Sequence, residues 1–112
     1  MIQVDKLVRD NVCKNLENKG IAKTVECHTV EGREYQTYLF SKLMEECAEV
    51  IGANTKQQRM EEIGDLEQVI DAIKEHFGID RKECSYNRVE KYTTHGGFYD
   101  GVVMTGIEYN DW

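Results

Sequence analysis

The chain contains no proline, so the commonest breaker of helices is missing and long uninterrupted helices are permitted. Apolar runs never exceed a few residues, which argues against a membrane-spanning helix of about 20 residues. No basic stretch followed by an apolar one opens the sequence, so a secretory leader is not expected and the cytoplasm is the expected compartment. The four cysteines, Cys13, Cys27, Cys47 and Cys84, show no CxxC or CxxH spacing. They are expected to be reduced and mostly packed, not to build a zinc site or a disulfide framework. Positive charge is also scarce: 14 Lys and Arg against 21 Asp and Glu leave a net charge of −7. That balance repels a phosphate backbone, so a nucleic-acid polymer is not an expected partner, nor is a membrane. A polyanion can still be handled where divalent cations bridge the two, because the cation reverses the local sign.

What is present is material for one domain: 112 residues, 40% of them hydrophobic and 31% charged, enough apolar content for a core. Residues 10–19 read as a first helix, opened by Asp10 and closed by Gly20. Residues 24–30 are rich in β-branched side chains and read as a short strand or extended arm. From Arg33 to Ala53, apolar residues at Leu39, Leu43, Cys47, Val50 and Ile51 recur at helical spacing. Thr55 with Gln58 forms a capping-box signature, followed by a second stripe, Ile63, Leu66, Val69, Ile70, Ile73 and Phe77, that stops at Gly78. Asp80 with Glu83 opens a fourth helix to about Tyr92, and the tail from Phe98 to Tyr109 returns to glycines and β-branched residues. The expected architecture is all-α, an antiparallel four-helix bundle with short extended arms at residues 24–30 and in the C-terminal tail.

The two central helices carry carboxylates in register. At 100° per residue, Glu45, Glu46 and Glu49 fall within about 60° of Lys42, next to the apolar stripe. On the following helix Glu62 and Asp65 extend the core face itself. Carboxylates aimed at a helix partner that carries its own carboxylates face desolvation and mutual repulsion, and need compensation. An all-oxygen donor set favours Mg²⁺ or Mn²⁺ over zinc or copper. Glu46, Glu49, Glu62 and Asp65 therefore read as a metal cage. A diiron centre would want Glu-x-x-His on two helices, and His28, His76 and His95 all lack a glutamate three residues earlier.

The run Glu45-Glu46-Cys47-Ala48-Glu49, followed after twelve residues by Glu62-Ile63-Gly64-Asp65, resembles the EExxE…ExxD signature of the all-α nucleoside triphosphate pyrophosphohydrolases, the MazG and phosphoribosyl-ATP pyrophosphohydrolase-like superfamily. The opening Lys6-Leu7-Val8-Arg9-Asp10, and Lys91 with Gly96-Gly97-Phe98 and Gly101, resemble the KLVRD opening and K…RGGF…G tail of a small single-domain branch. The likeness spans nearly the whole chain and implies one pyrophosphohydrolase domain, usually oligomeric. It implies Mg²⁺-dependent cleavage of a nucleotide between the α- and β-phosphates, giving a monophosphate and pyrophosphate, in nucleotide-pool sanitation or control. By that likeness Glu46, Glu49, Glu62 and Asp65 are ligands and Glu49 or Glu45 orients the attacking water. Lys6, Arg9 and Lys91, in the matching end motifs, and Lys42, on the acidic stripe, are the phosphate-binding candidates.

Two positions depart from the family pattern: Asn11-Val12-Cys13 stands for Lys-Ile-Pro, and His95 stands for the tail's Arg. Each removes a fixed positive charge. Gly96-Gly97 offers backbone amides to a phosphate or simply makes a turn, and Gly64, in mid-helix, suggests a close backbone contact. Tyr35, Tyr38, Phe98, Tyr99 and Trp112 are candidate stacking surfaces, with Tyr35 and Tyr38 nearest the acidic stripe. The competing functions are a non-catalytic metal or nucleotide sensor, or an interaction protein of the same fold. A nucleotide substrate and a homodimer or higher homo-oligomer are the expected partners, because 112 residues make a shallow core.

Overall fold

A computed structural model describes residues 1–111. It is all-α, with four helices, α1 (Val12–Asn18), α2 (Gly32–Gly52), α3 (Lys56–His76) and α4 (Arg81–His95), and no strand among the described residues. No helix among them is long and apolar enough to cross a membrane. Contacts divide the chain into two compact units, the first Met1–Gly78 and the second beginning at Ile79.

The first unit is built on α2 and α3, which pack closely as an antiparallel hairpin. Thr55 is the N-cap of α3, its Oγ1 accepting from the Gln58 amide at 3.0 Å. The Gln58 side chain reaches back to the Asn54 amide at 2.9 Å, one residue earlier than in a standard capping box. Arg59 then closes the end of α2, donating from Nη2 to the Ala53 carbonyl at 2.6 Å and from Nε to the Val50 carbonyl at 3.2 Å. Carbonyls that the last turn of a helix leaves without partners are thus satisfied by the start of the next helix. Gly78, at φ +65°, provides the left-handed backbone that ends α3.

The seam between the helices contains Leu39, 1% exposed, with Leu43, Val50, Leu66, Val69 and Ile73 half-buried. Phe40 stacks on Phe77 with ring centroids 5.8 Å apart, and Tyr35 meets His76 edge-on at 5.2 Å. Helical periodicity puts Phe40, Met44, Cys47 and Ile51 on a second stripe of α2, about 80–140° around from Leu39, and all four are exposed. The hairpin therefore has one apolar edge and, opposite it, an edge carrying Lys42, Glu62 and Asp65.

The N-terminal segments differ from expectation in three ways. α1 starts at Val12 with Asn11 in the cap position, and no side chain, Asp10 included, makes a cap hydrogen bond. Residues 24–30 form an arm without strand pairing. Cys13 and Cys27, expected to be reduced, are joined in a disulfide, with Cα atoms 6.8 Å apart. The chain turns back after α1, where the Leu16 carbonyl accepts from the Ile21 and Ala22 amides, and this reversal brings together two cysteines whose 14-residue separation matches no motif. Cys47 and Cys84 are free thiols.

In the second unit Asp80 caps α4, accepting from the Lys82 and Glu83 amides at 2.9 and 3.0 Å. The helix runs to His95, beyond the expected end near Tyr92, and stops at Gly96, whose amide donates to the Tyr92 carbonyl at 2.8 Å. Tyr92 and Tyr99 meet edge-on around Gly97. Residues 98–111 form neither helix nor strand. Trp112 lies outside the described residues.

The expected backbone contact at Gly64 is not found: a Cβ built there meets no atom within 4 Å. Its side of α3 points away from the seam, so the glycine costs helix stability and no contact returns it. In urea unfolding, Gly64→Ala is expected to raise stability by about 1 kcal/mol, whereas Thr55→Ala, which removes the cap, is expected to lower it by about 1 kcal/mol. Loss of stability in Gly64→Ala would mean that this face is covered after all.

Candidate metal centre

The hairpin brings three carboxylates from two helices to one place. One oxygen each from Glu46, Glu62 and Asp65 lies within 4.8 Å of the others. Glu46 arrives there because it sits seven residues, two helical turns, after Leu39 and shares its inward face. Glu62 and Asp65 are one turn apart on α3, opposite Glu46 in the antiparallel arrangement, and both are half-buried. Glu49 is exposed and outside this trio.

Glu46 is the unusual member. Its residue is only 7% exposed. Its Oε1 lies 3.4 Å from Lys42 Nζ, while its buried Oε2 has no hydrogen-bond partner. A buried carboxylate oxygen without a donor carries an uncompensated desolvation penalty. The unpartnered oxygen and the oxygen-only donor set both fit a hard divalent cation.

Neighbouring cations offset part of the charge. Lys42, with a side chain 17% exposed, bridges Glu45 Oε1 at 3.3 Å and Glu46. Arg9 comes from the N-terminal arm, residues 1–9 ahead of α1, and donates from Nη2 to Asp65 Oδ1 at 2.7 Å. Both were expected from sequence to serve phosphate, and the structure places both against carboxylates of the acidic cluster. Lys6 lines a neighbouring cavity with Lys42 and Glu45. Lys91 lies on α4 in the second unit, as does His95, whose Nδ1 is 2.7 Å from Thr94 Oγ1.

The Glu62 carboxyl is pushed above its ordinary range, first by desolvation and then by the charges of Glu49, Asp65, Glu46 and Glu61.

One pair escaped the sequence reading. Tyr38 donates its hydroxyl to Asp5 Oδ1, tying the arm to α2. That hydrogen bond, followed by partial burial and the charges of Asp5 and Glu34, raises the Tyr38 phenol above its ordinary value. Asp5 immediately precedes the Lys6–Asp10 motif, and Tyr38 lies one turn before Lys42, so proximity to those candidates was the available signal.

Comparison with protein-family models, with curated proteins and with solved structures finds no match to this chain.

The direction of the Glu62 shift sets a pH dependence. A carboxyl whose pKa is higher folded than unfolded binds its proton more tightly in the native state. Its contribution is complete below the unfolded value of about 4.3 and is lost as pH rises through the folded one. In EDTA, Glu62→Gln is therefore expected to be more stable than the parent at neutral pH, with the difference vanishing towards pH 4, as read from urea midpoints. A difference independent of pH would show that the Glu62 charge is not what the fold resists.

Proposed function

We propose that this chain is a Mg²⁺-dependent nucleotide pyrophosphohydrolase of the MazG-like kind, cleaving a nucleoside triphosphate between the α- and β-phosphates to a monophosphate and pyrophosphate. Such an activity would serve nucleotide-pool sanitation or control. The observation that supports it most is the buried Glu46, with its Oε2 unpartnered, gathered with Glu62 and Asp65 at the positions of the EExxE…ExxD pattern.

On this reading Glu46, Glu62 and Asp65 hold Mg²⁺, or Mn²⁺ in its place. The ion supplies the charge that lets an acidic surface accept a polyphosphate, and it acidifies a bound water. In this proposal Glu49, one turn beyond Glu46 and exposed, orients the attacking water and takes its proton. Glu45 is the weaker base because its carboxylate is paired with Lys42. Lys6 and Lys42 meet phosphate oxygens from the cavity side. Arg9 positions Asp65 and keeps further N–H donors for phosphate. Lys91 is a phosphate contact by motif likeness only.

The same proposal includes a homodimer. Among the described residues only Leu39 and Ala53 form the fully buried apolar core, while Met44 is 74% and Ile51 81% exposed on the apolar edge. A second copy laid on that edge would remove this surface from water and leave the acidic edge open. Light scattering is expected to give twice the chain mass for the parent and the monomer mass for Ile51→Glu. A monomeric parent would refute the dimer.

The activity is tested by pyrophosphate release from canonical and modified nucleotides with Mg²⁺, Mn²⁺ or EDTA. Release is expected with either metal and not with EDTA. Glu62→Ala is expected to lower it on the order of 100-fold or more with an unchanged helical circular-dichroism spectrum. No release across the panel from folded protein, with nucleotide still bound, would replace the enzyme by a metal-dependent nucleotide sensor.

A further inference from the structure

Beside the carboxylate trio, the arm and α2 enclose a cavity of about 300 Å³ whose walls include Asp5, Lys6, Tyr38, Ser41, Lys42 and Glu45. Lys42 links the two places, since its ammonium bridges Glu45, in the cavity wall, and Glu46, in the trio. Its polar groups are of two kinds. Lys6 presents an ammonium group suited to an anion, and Lys42 presents a second one that already bridges the carboxylates of Glu45 and Glu46. Asp5 presents a carboxylate, oriented by the Tyr38 hydroxyl on Oδ1, with Oδ2 still able to accept.

An anion next to Asp5 would meet like charge, so the ligand group there has to be a hydrogen-bond donor. The group at the lysines has to be an acceptor or an anion. A sugar phosphate carries both within one small volume, and the vicinal hydroxyls of ribose are donors that a carboxylate reads well. The volume is at the small end of ligand sites and accommodates a sugar with its phosphate.

We propose that this cavity is the sugar subsite, with Asp5 accepting from the ribose hydroxyls and Tyr38 holding Asp5 in place, so that the substrates are ribonucleotides selected through the sugar. This rests on the nucleotide reading above. Asp5 is a specificity residue and Tyr38 a positioning residue.

The test compares KM for pyrophosphate release from ATP, GTP, CTP and UTP with their 2′-deoxy and 2′,3′-dideoxy forms, on the full chain with Mg²⁺. Alongside it runs calorimetric binding of adenosine 5′-(α,β-methylene)triphosphate and its dideoxy form. A lost hydrogen bond to a charged group corresponds to about 10- to 100-fold, so KM is expected to rise by that factor from ribo to dideoxy, with a smaller spread among bases. Asp5→Leu is expected to erase the ratio and Tyr38→Phe to reduce it, with circular dichroism unchanged in both. Equal KM for all three sugars, or a ratio that survives Asp5→Leu, overturns the sugar subsite while leaving the reaction intact. If no nucleotide releases pyrophosphate the enzymatic reading fails, and the analogues decide: tighter binding of the ribo form supports the subsite, equal or absent binding overturns it.

Discussion

Glu46 lies on the same face of α2 as Leu39 and Val50, so packing the apolar seam of the hairpin carries a carboxylate inward with it. Removing an ionised group from water costs several kcal/mol (about 2–7 even for a neutral polar group left unpaired). The structure offsets this on one oxygen, through Lys42, and leaves the other without a donor. Opposite it stand Glu62 and Asp65, so moving α3 closer brings more negative charge and not relief. The acidic edge carries two cations against this charge, Lys42 shared between two glutamates and Arg9 drawn from the arm onto Asp65, while the Glu62 carboxyl is held above its ordinary range.

The two edges of the hairpin follow from one periodicity. On α2 the seam residues occupy one face, and the next stripe in one rotational sense is Phe40, Met44, Cys47 and Ile51, while in the other it is Lys42, Glu45 and Glu49. α3 repeats the division, with Ile63 and Ile70 on the apolar side and Glu62 and Asp65 on the other. Because the helices run antiparallel, like edges adjoin, and the stacked pair Phe40 and Phe77 marks the apolar junction. One pair of helices thus separates a surface suited to protein contact from one suited to cations.

What could be read from the chain was what repeats along it. The stripes of α2 and α3, the Thr55 and Asp80 caps and the convergence of Glu46 with Glu62 and Asp65 are consequences of helical spacing. The arm has no period, and its contacts, Asp5 with Tyr38 and Arg9 with Asp65, depend on a path through space that composition does not encode. The same holds for Cys13 and Cys27, joined because the chain reverses after α1. Glu49 has the right spacing for the trio but a rotational position about 60° further from Leu39 than that of Glu46, enough to leave it exposed. Gly64 misled because a mid-helix glycine suggests a close neighbour, and here the space beside it is open.

The Arg9–Asp65 pair has a kinetic meaning as well as an electrostatic one. It links residues 56 apart, and the Tyr38–Asp5 bond links residues 33 apart, whereas the hairpin closes through Arg59 and carbonyls six and nine residues away. Contacts of short separation form first, because closing a long loop costs more entropy before any contact rewards it. By this measure the turn end of the hairpin, where Glu46 stands only 16 and 19 residues before Glu62 and Asp65, closes ahead of the arm. During that interval the arginine and any cation in solution compete for the same negative face, and the order of arrival determines which of them the newly formed protein meets first.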